Sequence, residues 1–181
     1  MSRHHAPPIN NLPHICSTPY LCPMLIRPIE AKDNEALASI IREALTEFGA
    51  NKPGTVYYDA TTDALYDLFQ TTGSFYYVAE ENGILLGGGG IFPTEGLPTG
   101  TCELVKMYLH KTARGKGIGR QLIQQCLDWA KANGYEQAYL ETMPELHLAL
   151  KAYEQFGFTY LEGPLGNSGH FGCDRWMIKH I

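Results

Sequence analysis

A chain of 181 residues, 44% hydrophobic and 18% charged, has the size and composition of one compact domain with its own core. Its formal net charge of -5 supplies no basic field, which excludes nucleic acid and anionic membranes as main partners. Five scattered cysteines (Cys16, Cys22, Cys102, Cys126 and Cys173) give neither a disulfide framework nor zinc-site pairing, and no apolar run nears the roughly 20 residues that span a bilayer.

A reducing cytoplasm is therefore the expected location. Residues 1–23, rich in Pro, His and Asn and without periodicity, read as a disordered extension. His4 and His5 there read as solvated tail rather than metal ligands. One domain is expected over 24–181, opening with a strand at Leu25 to Ile29. Asp33 is placed to cap a helix whose apolar positions Leu37, Ile40, Ile41, Ala44, Leu45 and Phe48 follow helical spacing up to Gly49. After the turn-rich Asn51 to Gly54 come Tyr57, Tyr58 and Asp59, then a short second helix around Leu65, Leu68 and Phe69.

Phe75 to Ala79 and Ile84 to Phe92 alternate like strands around Asn82-Gly83, a dipeptide suited to a type I′ hairpin turn. Four glycines in a row, Gly87 to Gly90, signal close approach of backbone or ligand, the acceptor included, or else a bulge or tight bend. A strand from Glu103 to Leu109, a glycine-rich loop, a helix from Gly119 to Asn133 and a strand from Gln137 to Thr142 form a β-loop-α-β unit. Thr142 and Glu145 have capping-box spacing before a helix that stops at Gly157, and strands near Thr159 to Leu161 and Arg175 to Lys179 complete a mixed sheet.

In the loop Arg114-Gly115-Lys116-Gly117-Ile118-Gly119, three glycines let successive backbone N–H groups turn toward one anion. The N-terminus of the following helix adds its dipole, and Arg114, Lys116 and Arg120 add charge, so a pyrophosphate fits this spot. The bland alternative is a β-to-α turn with solvated basic residues. Neither G-x-G-x-x-G nor G-x-x-x-x-G-K-[ST] is present, so dinucleotide sites and P-loops are set aside.

Arg114-x-x-Gly117-x-Gly119 matches the [Q/R]-x-x-G-x-[G/A] signature of the GNAT acetyltransferases. Ala149, Tyr153, Glu154, Gly157 and Phe158 match the later A-x-x-x-Y-E-x-x-G-F pattern, so residues 25–181 resemble that superfamily. The resemblance implies an α/β fold with a mixed, mostly antiparallel sheet of six to seven strands, about four helices, and splayed fourth and fifth strands. It implies acetyl-coenzyme A as cosubstrate, no metal, and transfer to a primary amine by direct attack. Met107, Tyr108 and Leu109 would then contact the pantetheine arm, with the Met107 N–H near the thioester oxygen, beside the loop residues 114–120. Leu146 departs from the pattern, since many members carry Asn there.

Glu103, four residues before Met107 on one strand, shares its face in the absence of a bulge and suits a general base, as a matching Glu does in the histone acetyltransferase branch. The plainer reading pairs it with Lys106 or Arg114 at a strand edge, and Glu141 is the second candidate base. Tyr153 is implied as the acid that protonates the departing sulfur. Acceptor contacts are expected from Tyr57, Tyr58, Glu141 and His170, the last in a glycine-rich loop that equally reads as a connector. A small amine or amino-acid-like acceptor is favoured. A non-catalytic acyl-coenzyme A-binding domain is the alternative, a plain interaction module ranks last, and a homodimer is compatible with everything above.

Overall fold

The computed structural model describes residues 24–181, so the expected extension with its His pair, Cys16 and Cys22 lies outside the described residues. Seven strands form a single sheet: β1 Leu25–Pro28, β2 Phe75–Glu81, β3 Ile84–Phe92, β4 Thr101–Leu109, β5 Gln137–Thr142, β6 Thr159–Leu161 and β7 Arg175–His180. Their spatial order is β1-β2-β3-β4-β5-β7-β6, and every neighbouring pair is antiparallel except β4 with β5. Four helices accompany them: α1 Asn34–Glu47, α2 Leu65–Leu68, α3 Ile118–Ala132 and α4 His147–Gln155. None of these is long and apolar enough to cross a membrane.

α1 buries the stripe Leu37, Ala38, Ile40, Ile41, Ala44 and Leu45, as its spacing predicts, and α3 buries Leu122, Ile123, Cys126, Leu127 and Ala130. One core cluster joins Leu37, Ile41 and Leu45 of α1 to Tyr76 and Val78 of the sheet, while another joins α3 to Cys102, Leu104 and Leu140. The two helices thus cover opposite faces. The hairpin turn has both central residues at positive φ, Asn82 at 54° and Gly83 at 78°, as a type I′ turn requires.

Both expected caps act elsewhere. Asp33 lies in a 3₁₀ turn ahead of α1, where it accepts from the Glu30 N–H at 2.8 Å and from Arg27 at 2.7 Å, tying β1 to the helix entrance. Thr142 ends β5 and is buried, while Glu145 sits in the 3₁₀ turn Pro144–Leu146 and takes Lys52 at 3.0 Å. α4 consequently begins at His147 without a side-chain cap.

Two irregularities in β4 position the site. Its pairing with β5 lasts only from Thr101↔Gln137 to Glu103↔Tyr139, after which the strands diverge and leave the edge of residues 104–109 facing a gap. Against β3 the register shifts between Gly88↔Tyr108 and Gly90↔Val105, so Lys106 and Met107 together oppose Gly89. This is a β-bulge, and Lys106 takes it with φ at 50°. The glycine run answers it. A Cβ on Gly88 would lie 2.5 Å from the Tyr76 ring, and one on Gly90 would lie 2.6 Å from the Phe75 carbonyl. The groups approaching this run are therefore protein, not an acceptor.

Candidate active site

The bulge overturns one expectation directly. Val105, Lys106 and Tyr108 turn toward the α1 side, while Met107 joins Cys102 and Leu104 on the α3 side. Glu103 alternates with its neighbours Cys102 and Leu104, so it shares the face of Lys106 rather than that of Met107. The strand divergence then brings the two faces together at the gap.

On the α3 side lies a groove of about 450 Å³ lined by Phe48, Leu109, Arg114, Gly115, Gly117, Gly119 and Arg120 at one end and by Met107, Leu146 and Tyr153 at the other. Gly115 and Gly117 have φ of 76° and 80°, and Gly117 is the residue from which α3 starts. A side chain is strained at such angles, although the space around both positions is open. Gly119 differs, having ordinary φ, and a Cβ there would stand 3.3 Å from Leu109. Ile118 turns into the core instead of the groove.

The three basic residues are not equivalent. Arg114 donates to the Leu109 carbonyl at 3.1 Å, pairs with Glu47 at 2.9 Å and stacks on Phe48, clamping the loop to the end of α1. Its charge is largely answered by Glu47. Arg120 donates to the neutral Gln155 side chain at 2.7 Å over the Phe156 ring and keeps its charge for the groove. Lys116 is exposed and forms no ion pair among the described residues.

On the α1 side a cavity of about 40 Å³ is lined by Glu103, Lys106, Glu141, His170 and Cys173, and it shares Met107, Tyr108, Leu146, Ala149 and Tyr153 with the groove. The two spaces therefore meet where β4 and β5 part. Glu103 is 3% exposed and pairs with neither Lys106 nor Arg114, its one side-chain hydrogen bond among the described residues coming from the Thr94 hydroxyl. Burial, reinforced by the charge of Glu141, pushes its carboxyl up to about 7, against the opposing pull of Thr94, His170 and Lys106.

Lys106 reaches across to Asp59 at 3.0 Å and Thr62 at 3.4 Å, and its burial lowers its pKa despite Asp59. His170 contacts the same Asp59 oxygen at 2.9 Å. Burial opposes the charged ring, but that hydrogen bond and the charges of Asp59 and Glu103 outweigh it and raise its pKa. Glu141 accepts from the Tyr139 hydroxyl at 2.8 Å and from Ser168 at 2.7 Å. Burial drives the Cys173 thiol up to about 12, which removes it as a nucleophile at neutral pH.

Glu103, Glu141 and His170 bring one coordinating atom each within 4.8 Å of one another, the only such trio among the described residues. The span between the two carboxylates, Glu103 and Glu141, suits an ammonium nitrogen, whose hydrogen bonds of about 2.9 Å set its acceptors about 4.7 Å apart at tetrahedral angles. Tyr153 lines both spaces, and its hydroxyl has no hydrogen-bond partner among the described residues. Burial pushes that phenol upward, so it stays protonated. Tyr57 and Tyr58 line neither space, Tyr58 being 63% exposed, and their neighbour Asp59 holds two residues that line the cavity, Lys106 and His170. Thr94, Thr62 and Ser168 escape sequence reasoning because no motif surrounds them.

Comparisons with known proteins place the chain in a family. Residues 36–158 match the Acetyltransferase (GNAT) family. The uncharacterised N-acetyltransferase YjgM of Escherichia coli K12 is 36% identical over 159 residues, covering 87% of this chain and 95% of that protein. In solved structures, a GNAT-family acetyltransferase from Staphylococcus aureus Mu50 superposes with a TM-score of 0.77 at 18% identity, over 87% of this chain and 98% of its own. The Salmonella typhimurium protein yncA, solved with its cofactor acetyl-CoA, superposes with a TM-score of 0.66 at 23% identity, over 87% and 93%. The chain belongs to the GNAT family and is an N-acetyltransferase.

Proposed function

We propose that the chain transfers an acetyl group from acetyl-coenzyme A to the primary amine of a small acceptor by direct attack in a ternary complex, with Glu103 as general base and Tyr153 as general acid. The observation that carries this reading is the meeting of the two spaces at Met107 and Tyr153, with a buried carboxyl of raised pKa on the acceptor side.

The groove residues fit the cosubstrate. Gly115, Gly117 and the first N–H groups of α3 form a cradle for phosphates, with Arg120 and Lys116 at hand and Arg114 fixing the loop. Where β4 parts from β5, Met107 and Tyr108 offer backbone groups to the pantetheine arm beside Leu109, whose carbonyl Arg114 already holds, and the apolar Leu146 and Ala149 flank it where an Asn is absent. When bound, acetyl-coenzyme A supplies an acyl carbon activated as a thioester.

Glu103 takes a proton from the incoming ammonium, which frees the nitrogen lone pair for attack. Its pKa near neutrality lets it be both unprotonated at rest and able to accept. Glu141, held by Tyr139 and Ser168, attracts and orients the ammonium. The Met107 N–H stabilises negative charge developing on the carbonyl oxygen, a role worth about 3 kcal/mol of barrier where measured. The Tyr153 hydroxyl gives its proton to the departing sulfur. The cavity of about 40 Å³ has room for the amine head of the acceptor.

Calorimetric titration with acetyl-coenzyme A, followed by a screen of free-thiol release against primary amines, tests the proposal. Saturable binding with thiol release is expected. Binding without release from any amine would support the alternative of an acyl-coenzyme A-binding domain.

A further inference from the structure

Turning a primary ammonium into an amide removes two protons from nitrogen. The C–N bond forms and the C–S bond breaks; one of the two protons restores the Tyr153 hydroxyl that has protonated the thiolate, and the other must leave the protein in every turnover. On the proposed mechanism that proton sits on Glu103, which is 3% exposed and accepts a hydrogen bond from the Thr94 hydroxyl. A buried base that cannot discharge works once.

We propose that His170 and Asp59 form the exit path for this proton, His170 receiving it from Glu103 on one ring nitrogen and releasing another from the Asp59 side to solvent. The inference rests on Glu103 being the base. His170 and Glu103 place coordinating atoms within 4.8 Å, a span that one water bridges, and His170 Nε2 stands 2.9 Å from Asp59 Oδ2. Accessibility rises outward, from 3% for Glu103 to side-chain values of 16% for His170 and 28% for Asp59. Imidazole is suited to the task because one nitrogen accepts while the other donates.

The other charged or titratable groups facing Glu103 are poor carriers. Both Glu141 oxygens already accept hydrogen bonds, from Tyr139 and Ser168, and burial raises the Tyr139 phenol. Lys106, arriving from the β4 bulge, aims its ammonium at Asp59 and Thr62 with a side chain 5% exposed. The Cys173 thiol is raised to about 12. His170 is also held in place through its backbone, its N–H donating to Ser168 at 3.1 Å and its carbonyl accepting from the Cys173 N–H at 2.9 Å. Burial raises Glu103 to about 7, and at His170 the hydrogen bond and charge of Asp59 overcome burial and raise the ring above its ordinary value.

The test needs no acceptor. A photoreleased proton drops the pH of the free protein from about 8 to about 6, and the carboxylic acid infrared band of Glu103 is followed in time. Glu103→Gln identifies the band; a wild-type protein with no such band near neutrality would remove Glu103 as the base, a separate failure. With the band assigned, His170→Ala is expected to slow its rise about 10- to 100-fold, and added imidazole to restore it in proportion to concentration. His170→Gln, which keeps a polar side chain beside Asp59, is expected to be slow as well. A rise as fast in both variants as in wild type would overturn the exit path. So would a slowed rise that ignores imidazole, because a merely structural role gives that pattern.

Discussion

The groove and the charged cavity beside it are built in opposite ways. The groove draws Met107 through Arg120 from one stretch of chain, a strand end, a loop and a helix start, and its central feature is backbone set by glycine φ angles. The cavity draws Glu103, Lys106, Glu141 and His170 from segments far apart in sequence, with Asp59 holding Lys106 and His170 from behind, and its central feature is charge held out of water. A site made of backbone tolerates little beyond glycine at its turns. One made of buried charges depends on each member keeping its neighbours' protonation in place.

The sharpest way to break this contrast is Gly117→Glu. It strains a left-handed position and sets a carboxylate at the phosphate cradle, so acetyl-coenzyme A affinity should fall at least about 100-fold by calorimetry. The acceptor cavity should be untouched. In the reverse direction, Glu103→Gln should leave cosubstrate affinity within about twofold yet cut kcat about 100-fold or more at neutral pH in thiol-release assays. Tyr153→Phe lies at the junction. It keeps the ring contact with Phe158, and kcat should drop about tenfold with unchanged affinity.

The charge-built cavity also leaves a mark on stability. Glu103 is raised in the folded state, so the folded protein holds more protons than the unfolded one between the ordinary carboxyl value of 4.5 and about 7. Its contribution to stability is therefore lost as pH rises through that window. In Glu103→Gln this loss should disappear, giving a higher Tm than wild type at pH near 8 and a smaller difference near pH 4.5, readable by thermal melts across pH. The smallest expected effect belongs to Arg114→Ala, which removes a half-exposed pair with Glu47 and a stack on Phe48. About 1 kcal/mol of stability should go, with a modest weakening of cosubstrate binding.

The same contrast governs what the sequence discloses. The loop is legible because its residues are consecutive, and the strands and long helices are legible because burial imposes a period on Leu37 to Leu45 and on Leu122 to Ala130. The run Gly87 to Gly90 offers a bulge as one of its readings, but nothing within β4 marks Lys106 as the inserted residue, which moves Met107 to the face opposite Glu103. The Asp33 and Thr142 caps fail for a related reason. Both carry the right local pattern, but tertiary partners, Arg27 for one and strand pairing for the other, claim those residues first. Tyr57 and Tyr58 drew notice as aromatics, whereas the neighbouring Asp59 enters the site through contacts 47 and 111 residues away.

The pH dependence of kcat/KM for thiol release, measured with one accepted amine for wild type and Glu103→Gln, tests the central claim most directly. Wild-type activity should rise with pH through about 7 as Glu103 loses its proton, and the variant should be slow with no inflection there. A variant that keeps wild-type rate and the same inflection would contradict Glu103 as the base.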